Sequence, residues 1–121
     1  MLSSTLILTI VIVIIALVFD VINGFHDSAN AIACCVSTRV MTLKNAVVMS
    51  AFFNFIGAFM SVKVAQTVGK GIVDPNDITQ SVIIAALLGA IIWNLITWYF
   101  GIPSSSSHAL IGGLVGSAII Y

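Results

Sequence analysis

Residues 2–36 read LSSTLILTIVIVIIALVFDVINGFHDSANAIACCV. Apart from Ser3, Ser4, Thr5 and Thr9 the run is apolar up to Asp20, where a polar interlude, Asp20–Asn30, interrupts it. As one straight helix this stretch would extend about 52 Å at ~1.5 Å per residue, against a bilayer hydrocarbon core of about 30 Å. It must tilt strongly, project from the membrane, or break. The pair Asn23-Gly24 favours turns over helix interiors. The expectation is a first span over about 4–22, an interruption near 23–24, and a short second segment over about 27–38.

The rest of the chain supports a membrane setting. Of 121 residues, 60% are hydrophobic and 7% charged, and the mean hydropathy is +1.22. Soluble domains carry roughly 25% charged residues, and a small soluble fold could not hide so much apolar surface. Four Lys+Arg balance four Asp+Glu, which leaves no basic footprint for nucleic acid. The chain reads as an all-α integral membrane protein, multi-pass and of the cell membrane, in contact with lipid on most sides. Cys34 and Cys35 are adjacent inside an apolar run. They have the wrong spacing for a loop-closing disulfide or a metal site, and read as small packing residues. No Lys or Arg precedes Arg39 and no small-x-small site follows the first apolar run, so the N-terminus does not read as a cleaved secretory signal.

A polar loop from Ser37-Thr38-Arg39 to Lys44-Asn45 leads into a second span over about 46–62. There Ser50, Asn54, Gly57 and Ser61 share one helical face, of the kind that lets helices approach closely. Lys63 to Gln80, with Gly69, Gly71 and Asp74-Pro75-Asn76-Asp77, is the longest hydrophilic stretch and reads as a loop preceded by a short interfacial piece. The third span is about 81–100, with Ala86, Ala90, Asn94 and Thr97 on one face and Trp98 and Tyr99 suited to an interface. Gly101-Ile102-Pro103 stops that helix, and Ala109–Tyr121 is again apolar but too short to cross. Residues 101–121 therefore read as a re-entrant hairpin or a span cut short. Arg39 and Lys44 in one loop balance Lys63 and Lys70 in the next, so the positive-inside rule gives no orientation.

Two clusters carry candidate chemistry. Asp20, Asn23, Asp27 and Asn30 are spaced 3, 4 and 3 apart, one polar stripe on a helix or the lining of a break. Two acids beside His26 in an apolar segment are expensive without a partner or a purpose. Carboxylate and amide oxygens together suit a cation stripped of its hydration shell, although water at an interface would also satisfy them. Ser104-Ser105-Ser106-Ser107-His108 follows Pro103 and reads as a helix start, with Pro103 in the first turn and a serine as N-cap. Unpaired N–H groups, a positive helix end and four hydroxyls suit a tetrahedral oxyanion. A polar cap without a ligand is the plain alternative. A Ser-His-Asp hydrolase is disfavoured, because nothing in the sequence singles out one activated serine. Gly112-x-x-x-Gly116 is a small-residue packing pattern.

Asn23-Gly24-Phe25-His26-Asp27-Ser28-Ala29-Asn30-Ala31-Ile32-Ala33 resembles the signature of the PiT inorganic phosphate transporter family. Gly101-Ile102-Pro103-Ser104-Ser105-Ser106-Ser107-His108-Ala109-Leu110-Ile111-Gly112-Gly113 resembles that family's second signature, at its re-entrant hairpin, and Val68–Pro75 fits between them. The resemblance implies cation-coupled phosphate uptake with sodium or a proton as the driving ion. It implies no other cofactor or metal, and no enzymatic activity. It assigns Asp27, Asn30 and, less directly, Asn23 to the cation, and Ser104, Ser105, Ser106, Ser107 and Asn30 to phosphate. Members are built from two inverted repeats, and this chain holds one. It is therefore expected to be the N-terminal half of an inverted-repeat transporter, a single repeat over 1–121, paired with a second repeat or in a homo-oligomer. A fragment of a longer protein is the favoured explanation. A permease for sulfate or another oxyanion, and a non-transporting assembly subunit, are the alternatives the residues leave open.

Overall fold

The computed structural model describes residues 3–61 and 79–120. Four helices form among them: α1 (Ser4–Ser37), α2 (Leu43–Met60), α3 (Gln80–Tyr99) and α4 (Ser106–Ile120). The first three are long and apolar enough to cross a membrane. Each of these three starts at a hydroxyl cap. The side chains of Ser3, Thr42 and Thr79 accept from the backbone N–H of Leu6, Asn45 and Val82, relieving donors that a helix start leaves unpaired. The expected hydrophilic stretch from Lys63, with the Val68–Pro75 match, lies outside the described residues up to Thr79.

One expectation is overturned. α1 runs unbroken through Asn23 and Gly24 for 34 residues, about 51 Å. The reason lies in magnitudes. Asn and Gly each cost a helix at most about 1 kcal/mol. Opening the helix in hydrocarbon would strand several N–H and C=O groups, each at a cost of several kcal/mol. The break falls instead at two sites where the chain leaves a helix. Arg39 (φ 58°) and Gly101 (φ 64°) adopt the left-handed conformation just past α1 and α3. After α3, Gly101 donates to the Trp98 carbonyl at 3.2 Å and Ile102 to that of Thr97 at 2.8 Å, closing the helix with a Schellman motif. Pro103 therefore lies in the linker before α4, not in its first turn.

Packing is led by α3, which lies against α4 and α1, while α2 touches only α1 among the described helices. Gln80 Nε2 donates to Thr9 Oγ1 at 3.1 Å, and His26 Nε2 lies 3.4 Å from Thr97 Oγ1. Both pairs are 71 residues apart, so α1 and α3 run parallel in one register. α4 returns antiparallel along α3: Gly113 meets the Ala86 backbone, and Ser117 and Ile120 share a cavity with Ser81 and Val82. The core is small, built on Phe19, Ile22, Leu87, Ala90 and Ile91. Most other large apolar side chains face outward, as a lipid solvent permits. The α3 face read from Ala86, Ala90, Asn94 and Thr97 is the buried one. On the α2 face read from Ser50, Asn54, Gly57 and Ser61, no close helix approach is seen at Gly57 among the described residues: nothing lies within 4 Å of a Cβ placed there.

Candidate functional site

At the C-terminal end of α3 the three packed helices bring their polar residues together. His26, Asn94, Thr97 and Ser106 are the buried polar side chains among the described residues. Ser106 Oγ donates to Asp27 Oδ2 at 3.0 Å, joining the two motifs singled out in the sequence across 79 residues. His26 Nδ1 lies 3.3 Å from Asp27 Oδ1. With its proton on Nδ1, His26 donates to the carboxylate and leaves Nε2 to face the Thr97 hydroxyl. Thr97 Oγ1 also lies within donating reach of the Trp93 and Asn94 carbonyls, at 3.0 and 3.1 Å. The His26 side chain is 6% exposed and that of Asp27 43%. The histidine is thus a buried support, and the carboxylate keeps an open side from which an ion can approach.

The four serines divide their work. Ser105 Oγ accepts from the His108 backbone N–H at 3.4 Å and bonds His108 Nδ1 at 2.8 Å, while the Ser105 carbonyl accepts from Ala109 N–H at 3.0 Å. Ser105 is therefore the cap of α4. Ser106, first in the helix, is buried against Asp27, Ser104 is half-buried and Ser107 exposed. The caps leave the first N–H groups of α4, those of Ser106 and Ser107, without an intrahelical acceptor. Beside them is a cavity of about 360 Å³ lined by Gly89, Trp93, Ser104, Ser105, His108 and Gly112 among others. Asn23 is half-buried and Asn30 exposed; neither makes a side-chain hydrogen bond among the described residues, so the structure unites Asp27 with Ser106 but leaves these two apart. Thr97 and the buried pairing of His26 were not anticipated as parts of a site. The signal that could have found them was the need of His26 for a partner inside an apolar helix. No three of His, Cys, Asp or Glu converge on a metal-sized site among the described residues.

Three helices long and apolar enough to cross a membrane, with carboxylate, imidazole and hydroxyl groups turned toward one another between them, mark a multi-pass integral membrane protein. The profile of the phosphate transporter family matches residues 23–121. Over 116 residues the chain is 60% identical to a probable low-affinity inorganic phosphate transporter of Bacillus subtilis, covering 94% of this chain and 35% of that protein. It is 59% identical over 109 residues to one of Rhizobium meliloti, covering 89% of this chain and 33% of that protein. A third, of Streptomyces halstedii, is 54% identical over 119 residues, covering 97% of this chain and 56% of that protein. The chain belongs to the phosphate transporter family, a family of transporters rather than enzymes. It spans about a third of the length of the first two relatives. No solved structure matches it.

Proposed function

We propose that this chain forms one repeat of a cation-coupled, low-affinity inorganic phosphate transporter, and that α3 and α4 are the two arms of a re-entrant hairpin. The hydrogen bond from Ser106 to Asp27 carries this reading, because it brings the candidate anion and cation groups within reach of one another. The 71-residue register makes the end of α3 level with Ser28, so α1 continues roughly nine residues, about 14 Å, beyond the hairpin. With the α1–α2 turn at one membrane surface, the hairpin tip falls about halfway through a ~30 Å core. Irregular backbone at that depth is tolerated where it lines a cavity.

The chemistry follows from charge. Asp27 alone would repel a phosphate anion approaching Ser104–Ser107. A sodium ion or proton at Asp27, with Asn30 and Asn23 at its margin, cancels that charge. The free N–H groups and hydroxyls at the start of α4, with Asn30, can then hold the anion. Each bound species lowers the cost of the other, which is a coupling free energy between two sites. A second repeat, or a second copy, would close the exposed side occupied by Asn30, Ser105 and Ser107. In proteoliposomes holding the full-length transporter, Asp27→Asn should abolish phosphate uptake driven by a sodium or proton gradient. Gradient-driven uptake at the unaltered rate in that variant would refute the assignment, and equal competition by sulfate would broaden the substrate to oxyanions.

A further inference from the structure

The cavity of about 360 Å³ between α3 and α4 is lined by one imidazole, that of His108, which is joined to Ser105. Ser105 Oγ accepts from the His108 backbone N–H at 3.4 Å and bonds His108 Nδ1 at 2.8 Å. His108 is exposed, and its Nε2 makes no hydrogen bond among the described residues, so that nitrogen can meet a ligand. The other lining residues, Gly89, Trp93 and Ser104 among them, bring no acid, amide or second base. Asp27 is engaged by Ser106 and His26 and does not line this cavity.

The Ser105–His108 pair has a fixed count of donors and acceptors. A neutral imidazole carries one N–H and a hydroxyl one O–H. With the proton on Nδ1, that N–H donates to Ser105 Oγ, and a ligand meets the Ser105 O–H as donor and bare Nε2 as acceptor. With the proton on Nε2, the Ser105 O–H donates to Nδ1. A ligand then meets Nε2–H as donor and a lone pair of Ser105 Oγ as acceptor. Either tautomer offers one donor and one acceptor. The hydroxyls of Ser104 and Ser107 can turn to donate to any charged oxygen, so they do not discriminate. Phosphate near neutral pH keeps a P–OH beside its charged oxygens, and it can donate as well as accept. Sulfate has no proton to give, and would set a charged oxygen against the acceptor of the pair. Sites built to bond a substrate hydroxyl reject the analogue that lacks it.

We infer that His108, together with Ser105, is the specificity-determining residue of the anion site: the pair accepts the proton of phosphate itself and so selects a protonated oxyanion over sulfate. This rests on the reading of the start of α4 as the phosphate site. The test is competition against radiolabelled phosphate uptake by the full-length transporter in proteoliposomes, with sulfate and monofluorophosphate as competitors. Monofluorophosphate is a tetrahedral dianion like hydrogen phosphate, with fluorine in place of the hydroxyl. In the wild type each should compete about ten-fold less well than unlabelled phosphate, or worse. His108→Lys supplies donors without an acceptor, and both competitors should gain about ten-fold on phosphate. His108→Gln, whose amide has a donor and an acceptor, should keep the wild-type ranking. A merely structural role would alter the rate of uptake and leave the ranking of competitors as it was. Monofluorophosphate competing as well as phosphate in the wild type overturns the inference, and that measurement needs no variant. So does an unchanged ranking in His108→Lys. Ser105→Ala measured in parallel separates the two readings. Weaker phosphate uptake there with an unchanged ranking in His108→Lys sinks only the role of His108, and unaltered phosphate uptake in both variants sinks the anion site at the start of α4.

Discussion

Ser106 and Ser107 are neighbours in sequence with opposite environments, one buried against Asp27 and one exposed. Removing the hydroxyl of Ser106 takes a donor from a carboxylate, a bond worth about 1.5–3 kcal/mol. Ser106→Ala should therefore lower the unfolding midpoint of the transporter in detergent, while Ser107→Ala should change stability by less than about 0.5 kcal/mol. Equal effects of the two would mean that the bond to Asp27 contributes nothing. At this scale the sequence disclosed residue types better than residue roles. Asp27 and the serine run stand out by chemistry alone. Which serine reaches Asp27 depends on where α4 begins, and that is set by the Ser105 cap and the Gly101 turn, a three-dimensional outcome that four identical letters do not reveal.

Among the elements, the α3–α4 seam is held by close backbone approach. A Cβ on Gly113 would sit 2.5 Å from the Ala86 carbonyl oxygen, whereas Gly112 and Gly116 have nothing within 4 Å. The Gly112-x-x-x-Gly116 pattern is thus not the packing face of this hairpin. Gly113→Ala should force the arms apart and cost about 1–3 kcal/mol, as overpacking does. Gly112→Ala should be close to neutral, read by the same unfolding assay; a neutral Gly113→Ala would mean the arms do not pack this closely. The lesson on legibility is physical. The buried face of α3 was readable because Ala86, Ala90, Asn94 and Thr97 recur at helical spacing among larger side chains. The continuity of α1 was not, because turn preference is a local quantity and backbone pairing in lipid outweighs it. The choice between adjacent glycines was not either, since it depends on how a partner helix is rotated.

At the scale of the chain, the polar groups that face outward mark the side that the proposed second repeat or second copy would cover. Asn30, Ser105, Ser107 and His108 are exposed, in a chain whose outer surface is otherwise mostly apolar. Proteoliposomes holding these 121 residues alone should therefore show no phosphate uptake under an inward sodium or proton gradient, although the chain inserts. Gradient-driven uptake by this chain would mean that two copies complete the site between them.

The register between α1 and α3 also limits how such a machine moves. Slid one turn toward the C-terminus of α1, Thr97 would meet Asn30 but Gln80 would meet Val13. Slid the other way, Gln80 would find Thr5 while Thr97 faced Ile22. Either displacement trades a polar pair for a polar–apolar mismatch at one end of the seam, and no second notch accepts both ends. A ratchet along α1 therefore gives up one of the two polar pairs at each step, whereas a swing about this contact keeps the register, like a gate on a fixed post.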